Sequence, residues 1–82
     1  MNIILEECGT GGGCEALSVV IGKRTFLITD GEGGQLPIKG QEFILGEFND
    51  VGYQVWFTVS DNYSKNLGIK LIKERVKNES KI

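Results

Sequence analysis

The chain has 82 residues, a net charge of −2, twelve glycines, one proline and no histidine. This length gives room for one domain, and the 26 leucine, isoleucine, valine and phenylalanine residues are enough for a hydrophobic core. The absence of histidine excludes nucleophiles activated by imidazole and zinc sites built on it. We therefore expect no enzyme with a conventional catalytic set.

The N-terminal residues MNIILEECG lack the basic start and the long apolar run of a secretory signal. No stretch of the sequence approaches the roughly 20 apolar residues of a membrane span. We therefore expect a protein of the cytoplasm of a bacterial or infected host cell, with no membrane partner and with both cysteines reduced.

The first half of the chain predicts three β-strands: NIILEE over residues 2–7, CEALSVVI over 14–21 and RTFLITD over 24–30. The glycine-rich GTGGG of residues 9–13 is expected to form a turn between the first two. Gly22-Lys23 joins the second and third, and a two-residue loop with glycine first predicts a type II′ hairpin. That turn places Leu17 opposite Ile28 on an apolar face.

Residues 43–48 and 53–60 predict a second hairpin around a four-residue loop. A loop of that length places Gly46 opposite Val55 on a strongly apolar face. The other face should be the wetter one, yet it carries three large apolar side chains: Phe43, Leu45 and Trp56. We therefore expect this hairpin to be covered on both faces.

The C-terminal segment 63–77 predicts a helix that would cover the second hairpin. Its apolar residues follow helical spacing: Ile69, Ile72 and Val76. Asn62 or Asp61 would supply the N-cap. A strand remains the alternative, because the apolar residues of 67–71 also alternate and Gly68 disfavours a helix.

These elements predict an α+β domain that is mainly β. Its small antiparallel sheet consists of two hairpins plus an N-terminal strand, and the C-terminal helix packs on that sheet. Residues 1–82 are expected to form a single domain, with the sheet body over 2–60 and the helix and a frayed tail over 61–82.

The two cysteines are the first candidates for chemistry. Cys8 and Cys14 flank five residues, so in a hairpin they could face each other and form a redox switch or half of a metal site. Redox and zinc motifs place two residues between their cysteines, so structural thiols are the expected interpretation.

Gly11, Gly12 and Gly13 could present backbone amides to an anion, but the Lys-Ser/Thr ending of a phosphate-binding loop is missing. Asp30 begins an acidic loop that could attract calcium, but the loop lacks the full ligand set of a calcium site. We therefore predict no metal site and no cofactor.

Trp56 is the strongest candidate for binding a partner. Large aromatic and apolar residues surround it in the predicted hairpin: Tyr53, Phe43 and Leu45. Aromatic side chains at an uncovered sheet face are enriched in protein interfaces. The alternative is that the C-terminal helix covers these side chains.

Basic residues concentrate near the C-terminus. Residues 63–82 carry six basic and two acidic residues, whereas residues 1–62 carry three basic and nine acidic ones. The basic side chains could contact nucleic acid: Lys65, Lys70, Lys73, Arg75 and Lys77. The simpler interpretation is a solvated polar face that balances an acidic body.

Three stretches carry a resemblance: GGGCEAL over 11–17, FLITDG over 26–31, and Leu36-Pro37. Together they resemble a group of small proteins from bacteriophages and bacteria, over roughly residues 10–50. That group has no assigned activity, so the resemblance marks Gly12, Gly13, Cys14 and Asp30 as characteristic positions without a role. It implies a phage or accessory-gene origin, and Cys8 departs from its pattern.

The sequence thus favours a non-catalytic protein-interaction or self-assembling accessory module. Its expected partner is a second copy, in a homodimer, or an unidentified protein. A nucleic-acid accessory role for the basic segment is the first alternative. A small cysteine-based redox or metal protein is the second.

Overall fold

The computed structural model describes residues 2–79, except for the side chain of Glu79. Five strands and one helix follow in chain order: β1 Glu6–Gly11, β2 Cys14–Ile21, β3 Arg24–Asp30, β4 Phe43–Phe48, β5 Gln54–Ser60 and α1 Lys65–Glu79. The strands form one sheet in the order β1-β2-β3-β4-β5, and each pair of neighbours is antiparallel. The predicted mainly-β antiparallel sheet with a C-terminal helix is confirmed. The predicted frayed tail at 80–82 lies outside the described residues.

The first strand begins later than predicted. It covers Glu6–Gly11 instead of residues 2–7, and it pairs with β2 through the glycine-rich stretch that the sequence assigned to a turn. Ile3 instead joins the hydrophobic core. Gly11, Gly12 and Gly13 have φ angles of 99°, 59° and 81°. Side chains rarely tolerate positive φ, so the run of glycines serves a tight and irregular turn.

The hairpin of β2 and β3 has the predicted register. Leu17 lies opposite Ile28, and Ile21 lies opposite Arg24 across the two-residue turn. Gly22 has a φ of 63°, as the first position of a type II′ turn requires.

The predicted register of the second hairpin is wrong. Gly46 lies opposite Phe57 instead of Val55, because β5 contains a bulge: Phe48 pairs with Gln54 and Glu47 pairs with Trp56. The turn is also longer than predicted. Oδ1 of Asn49 accepts hydrogen bonds from the N–H groups of Val51 at 3.1 Å and Tyr53 at 2.9 Å.

The helix is confirmed and the strand alternative for this segment is wrong. The N-cap is Ser64, whose Oγ accepts a hydrogen bond from the N–H of Leu67 at 3.1 Å, and neither Asn62 nor Asp61 has this role. Gly68 lies inside α1 because the helix approaches the sheet closely there. A Cβ at Gly68 would be 2.9 Å from Cδ1 of Ile28.

The hydrophobic core lies between α1 and one face of the sheet. Its five fully buried large side chains are Phe26, Ile28, Phe43, Leu45 and Ile72. Tyr63 stacks edge-on against Phe43 with ring centres 5.1 Å apart, and burial raises the pKa of its hydroxyl above the ordinary value of 10.0. The face of β4 that was expected to be wetter is therefore the core face.

Candidate functional site

The sheet leaves one face uncovered. Within residues 2–79, α1 covers the opposite face and all five strands belong to the single sheet, so no second layer exists there. Three rows of side chains across β3, β4 and β5 define this open face: Thr25–Phe48–Gln54, Leu27–Gly46–Phe57 and Thr29–Ile44–Val59. An antiparallel sheet ordinarily solvates one face with polar side chains, but here that face is largely apolar.

A trough of about 780 Å³ runs along the open face. Two turns and one strand form its rims: the β4–β5 turn at 49–52, Gly33, and the β1 segment 8–10. Gly46 forms its floor, where a Cβ would lie 3.2 Å from Cε1 of Phe48 and 3.2 Å from Nε2 of Gln54. The missing side chain at Gly46 therefore gives Phe48 and Gln54 room to pack over the strand.

The chemistry of the trough suits binding. Its lining offers threonine hydroxyls, the amides of Asn49 and Gln54, and apolar carbon from the open face. Cys8 and Asp50 are its ionisable side chains among the described residues, so no pair of carboxylates meets there. Such a surface can bury apolar groups and form neutral hydrogen bonds with whatever covers it.

The edge strand β5 exposes several apolar side chains. Val55, Phe57 and Val59 are 51%, 60% and 49% exposed, although each is a residue type that ordinarily lies inside. A contiguous apolar patch on a small protein typically marks an interaction site. The alternation of Phe57 and Val59 with Trp56 and Thr58 is the sequence signal that could have located this surface.

The structure separates Trp56 and the three candidate residues predicted around it. Phe43 and Leu45 are 0% exposed because α1 covers them. Trp56 is half-buried on the same side, with the guanidinium carbon of Arg75 4.7 Å from its ring centre. Tyr53 alone is highly exposed, at the end of the β4–β5 turn.

A buried charge cluster on the covered face went unnoticed in the sequence. Glu47 is buried and forms ion pairs of 2.8 Å with both Arg24 and Arg75. Hydrogen bonds from Arg24, opposed by burial and reinforced by Arg75, hold the pKa of Glu47 below its ordinary value of 4.5. The sequence feature that could have predicted this cluster is a lone carboxylate among the apolar residues of β4.

Cys14 of the GGGC motif and Asp30 of the ITDG motif both contact the loop that follows β3. Oδ1 of Asp30 accepts hydrogen bonds from the N–H groups of Gly33, Gly34 and Gln35 at 3.0, 3.3 and 3.4 Å. The resulting loop docks on β2, where the N–H of Glu15 donates to the carbonyl of Gly34 at 3.1 Å. Cys14 lies directly beside the loop, because a Cβ at Gly34 would be 3.8 Å from its Sγ. These contacts make Asp30 and Cys14 part of the packing between this loop and β2.

The two cysteines are not opposite each other. Cys8 pairs with Ala16, while Cys14 pairs with Gly11 across the bulge of β1. Diagonal neighbours in a sheet lie about 7–8 Å apart, which is too far for a disulfide without backbone movement. Both thiols are free, and residues 2–79 contain no group of three or more potential metal-ligating His, Cys, Asp or Glu side chains.

The basic residues of α1 divide between two sides. Arg75 turns toward the sheet, whereas Lys65, Lys70, Lys73 and Lys77 are exposed. Lys70, Lys73 and Lys77 line a shallow groove on the outer surface of the helix, together with Asn66, Ile69 and Glu74.

Comparison with protein-family models, with curated proteins and with solved structures finds no match to this chain. Residues 2–79 contain no helix that is both long and apolar enough to traverse a membrane.

Proposed function

We propose that this protein is a non-catalytic interaction module that acts through the open face of its sheet, and that its first partner is a second copy of itself. The observation that carries this proposal is the exposure of Phe57 and Val59 on the sheet face opposite α1. Burial of apolar surface stabilises an association by roughly 25 cal/mol per Å² before the costs of binding are subtracted.

The organisation of the core supports the proposal. The single helix covers one face of the sheet, and every fully buried large side chain lies on that side or in the helix itself. Small domains bury a small fraction of their surface when they fold alone, and self-association adds to it. The proposed surface of self-association is the β5 margin of the open face, at Phe57 and Val59 with Ile44 beside them, instead of Trp56 and the three residues predicted around it.

A dilution series followed by two-dimensional amide NMR tests this proposal. The expected result is concentration-dependent shifts at Ile44, Phe57 and Val59, with constant positions at Lys70 and Lys73 on the outer side of the helix. Constant peak positions across the open face up to millimolar protein would contradict self-association through it. Ile4→Glu is a suitable control variant, because Ile4 is exposed but lies outside the trough.

The helix surface supports a second candidate function. Lys70, Lys73 and Lys77 lie together on its outer side, where they could contact the phosphates of a nucleic acid. The acidic side chain of Glu74 shares that groove and weakens its positive potential, so we place this function second.

A further inference from the structure

We propose that β5 of one copy pairs in antiparallel fashion with β5 of a second copy, so that the two sheets join into one continuous sheet. This inference rests on the self-association proposed above and specifies how it occurs. The dimer interface then consists of the backbone edge of β5 as well as its apolar side chains.

The pairing pattern shows which backbone groups of β5 point outward. A two-residue turn makes Ile21 and Arg24 a hydrogen-bonded pair, and such pairs alternate along each antiparallel ladder. The observed registers of β3 with β4 and of β4 with β5 extend this alternation to the edge strand. The N–H and C=O groups of Trp56 and Thr58 therefore point toward β4. The same groups of Phe57 and Val59 then point away from the sheet.

Those outward groups have no other backbone partner in the described chain. Within residues 2–79, no backbone hydrogen bond outside the β4–β5 ladder involves Gln54–Ser60. An edge strand with a row of unpaired donors and acceptors is a template for pairing with another strand.

Charge distinguishes the two edges of the sheet. The outer strand β1 carries Glu6 and Glu7 and contains a bulge near Gly9, which are features that discourage edge pairing. The sequence QVWFTVS of β5 carries no charged side chain. Two copies of β5 can therefore lie side by side without placing like charges together, although each chain has a net charge of −2.

A two-fold axis at Thr58 satisfies the outward groups best. It places Phe57 opposite Val59 of the second copy, so that each pair exchanges two hydrogen bonds. An aromatic ring then lies beside a β-branched side chain on the open face, which is a favourable cross-strand pair. Because the axis is perpendicular to the sheet, both helices lie on one side and both troughs on the other.

Amide hydrogen exchange measured at protein concentrations below and above the association range tests this geometry. The amides of Phe57 and Val59 should exchange freely in the monomer and become at least about tenfold protected in the dimer. The amides of Trp56 and Thr58 should be protected at both concentrations, because they bond to β4. A dimer with unprotected Phe57 and Val59 amides would overturn edge pairing and leave self-association through the open face intact.

A proline pair provides the matched variants. Val59→Pro removes an outward donor without removing a bond to β4, and proline is tolerated at sheet edges. We expect it to weaken dimerisation by at least about tenfold, since two symmetric hydrogen bonds are lost, while circular dichroism and the melting temperature show a folded chain. Glu7→Pro removes an outward donor on β1 and should leave dimerisation unchanged. Equal dimerisation of Val59→Pro and the wild type, or a wild type that is monomeric at every concentration, would overturn the inference.

Discussion

Arg24 and Glu47 form a two-point contact on the covered face of the sheet. Nε of Arg24 donates a hydrogen bond to Oε2 of Glu47 at 3.0 Å, and its Nη2 donates to Oε1 at 2.8 Å. Nε of Arg75 donates to the same Oε1 at 2.8 Å. The carboxylate of Glu47 therefore connects β3, β4 and α1, and it fixes the helix across the sheet.

This contact predicts a pH-dependent stability. The pKa of Glu47 is lowered in the folded chain, so the unfolded chain binds the proton more readily. The free energy of unfolding therefore decreases as the pH is lowered. Glu47→Gln should reduce the free energy of unfolding at neutral pH by about 1–3 kcal/mol, because it removes a charge that two arginines share. The difference between the variant and the wild type should narrow below about pH 4.5 in urea titrations. A difference that stays constant with pH would contradict this role, and exposed Glu32→Gln serves as the control.

The close approach of α1 to the sheet predicts that Gly68→Ala destabilises the fold. Alanine improves helix propensity by about 1 kcal/mol, but its Cβ would meet Cδ1 of buried Ile28 at 2.9 Å. Overpacking in a filled core costs about 1–3 kcal/mol, so we expect a net loss of roughly 1 kcal/mol in chemical denaturation. Asn66→Ala, at an exposed helix position, should stabilise slightly. An equally stabilised Gly68→Ala would show that the contact relaxes freely.

The loop that follows β3 predicts a structural role for Asp30. Asp30→Ala removes the side-chain acceptor of three backbone N–H groups and should cost about 1–3 kcal/mol, although the N–H of Gly33 keeps its bond to the Asp30 carbonyl at 3.0 Å. Asp30→Asn keeps a carbonyl oxygen at the same place and should recover most of that loss. If both variants were as stable as the wild type, the loop would hold its shape without this side chain. Thermal unfolding followed by circular dichroism measures the comparison.

The nucleic-acid alternative makes a salt-dependent prediction. If Lys70 and Lys73 contact phosphates, the affinity for single-stranded or duplex DNA should fall steeply with added salt. The double variant Lys70→Glu, Lys73→Glu should abolish fluorescence-anisotropy binding at low salt without altering the melting temperature, because both side chains are exposed. Absence of binding by the wild type at low salt would remove this function.

The sequence predicts local features better than it predicts which faces are covered. The register of β2 with β3 follows from Gly22-Lys23 alone, because a two-residue turn leaves one solution. The second hairpin could not be predicted in the same way. Its register depends on a bulge at Val55 and on side-chain hydrogen bonds of Asn49, and no simple loop length encodes either.

The candidate site was missed for a related reason. Both faces of β4 and β5 are apolar, so alternation alone does not say which face α1 covers. Gly68 marks the helix position that touches Ile28 and hence selects the face with Leu45 and Trp56. In the sequence this glycine was evidence against a helix, since its propensity is poor and the close approach was not yet visible.

Sedimentation equilibrium of the wild type and Phe57→Glu, from micromolar to millimolar protein, shows whether the open face mediates self-association. We expect the wild type to shift from monomer to dimer. Phe57→Glu should stay monomeric with an unchanged melting temperature, because Phe57 is 60% exposed and contributes little to the core. Ile4→Glu should dimerise like the wild type. A wild type that remains monomeric throughout, or a Phe57→Glu variant that dimerises equally well, would contradict the assignment of the open face as the surface of self-association.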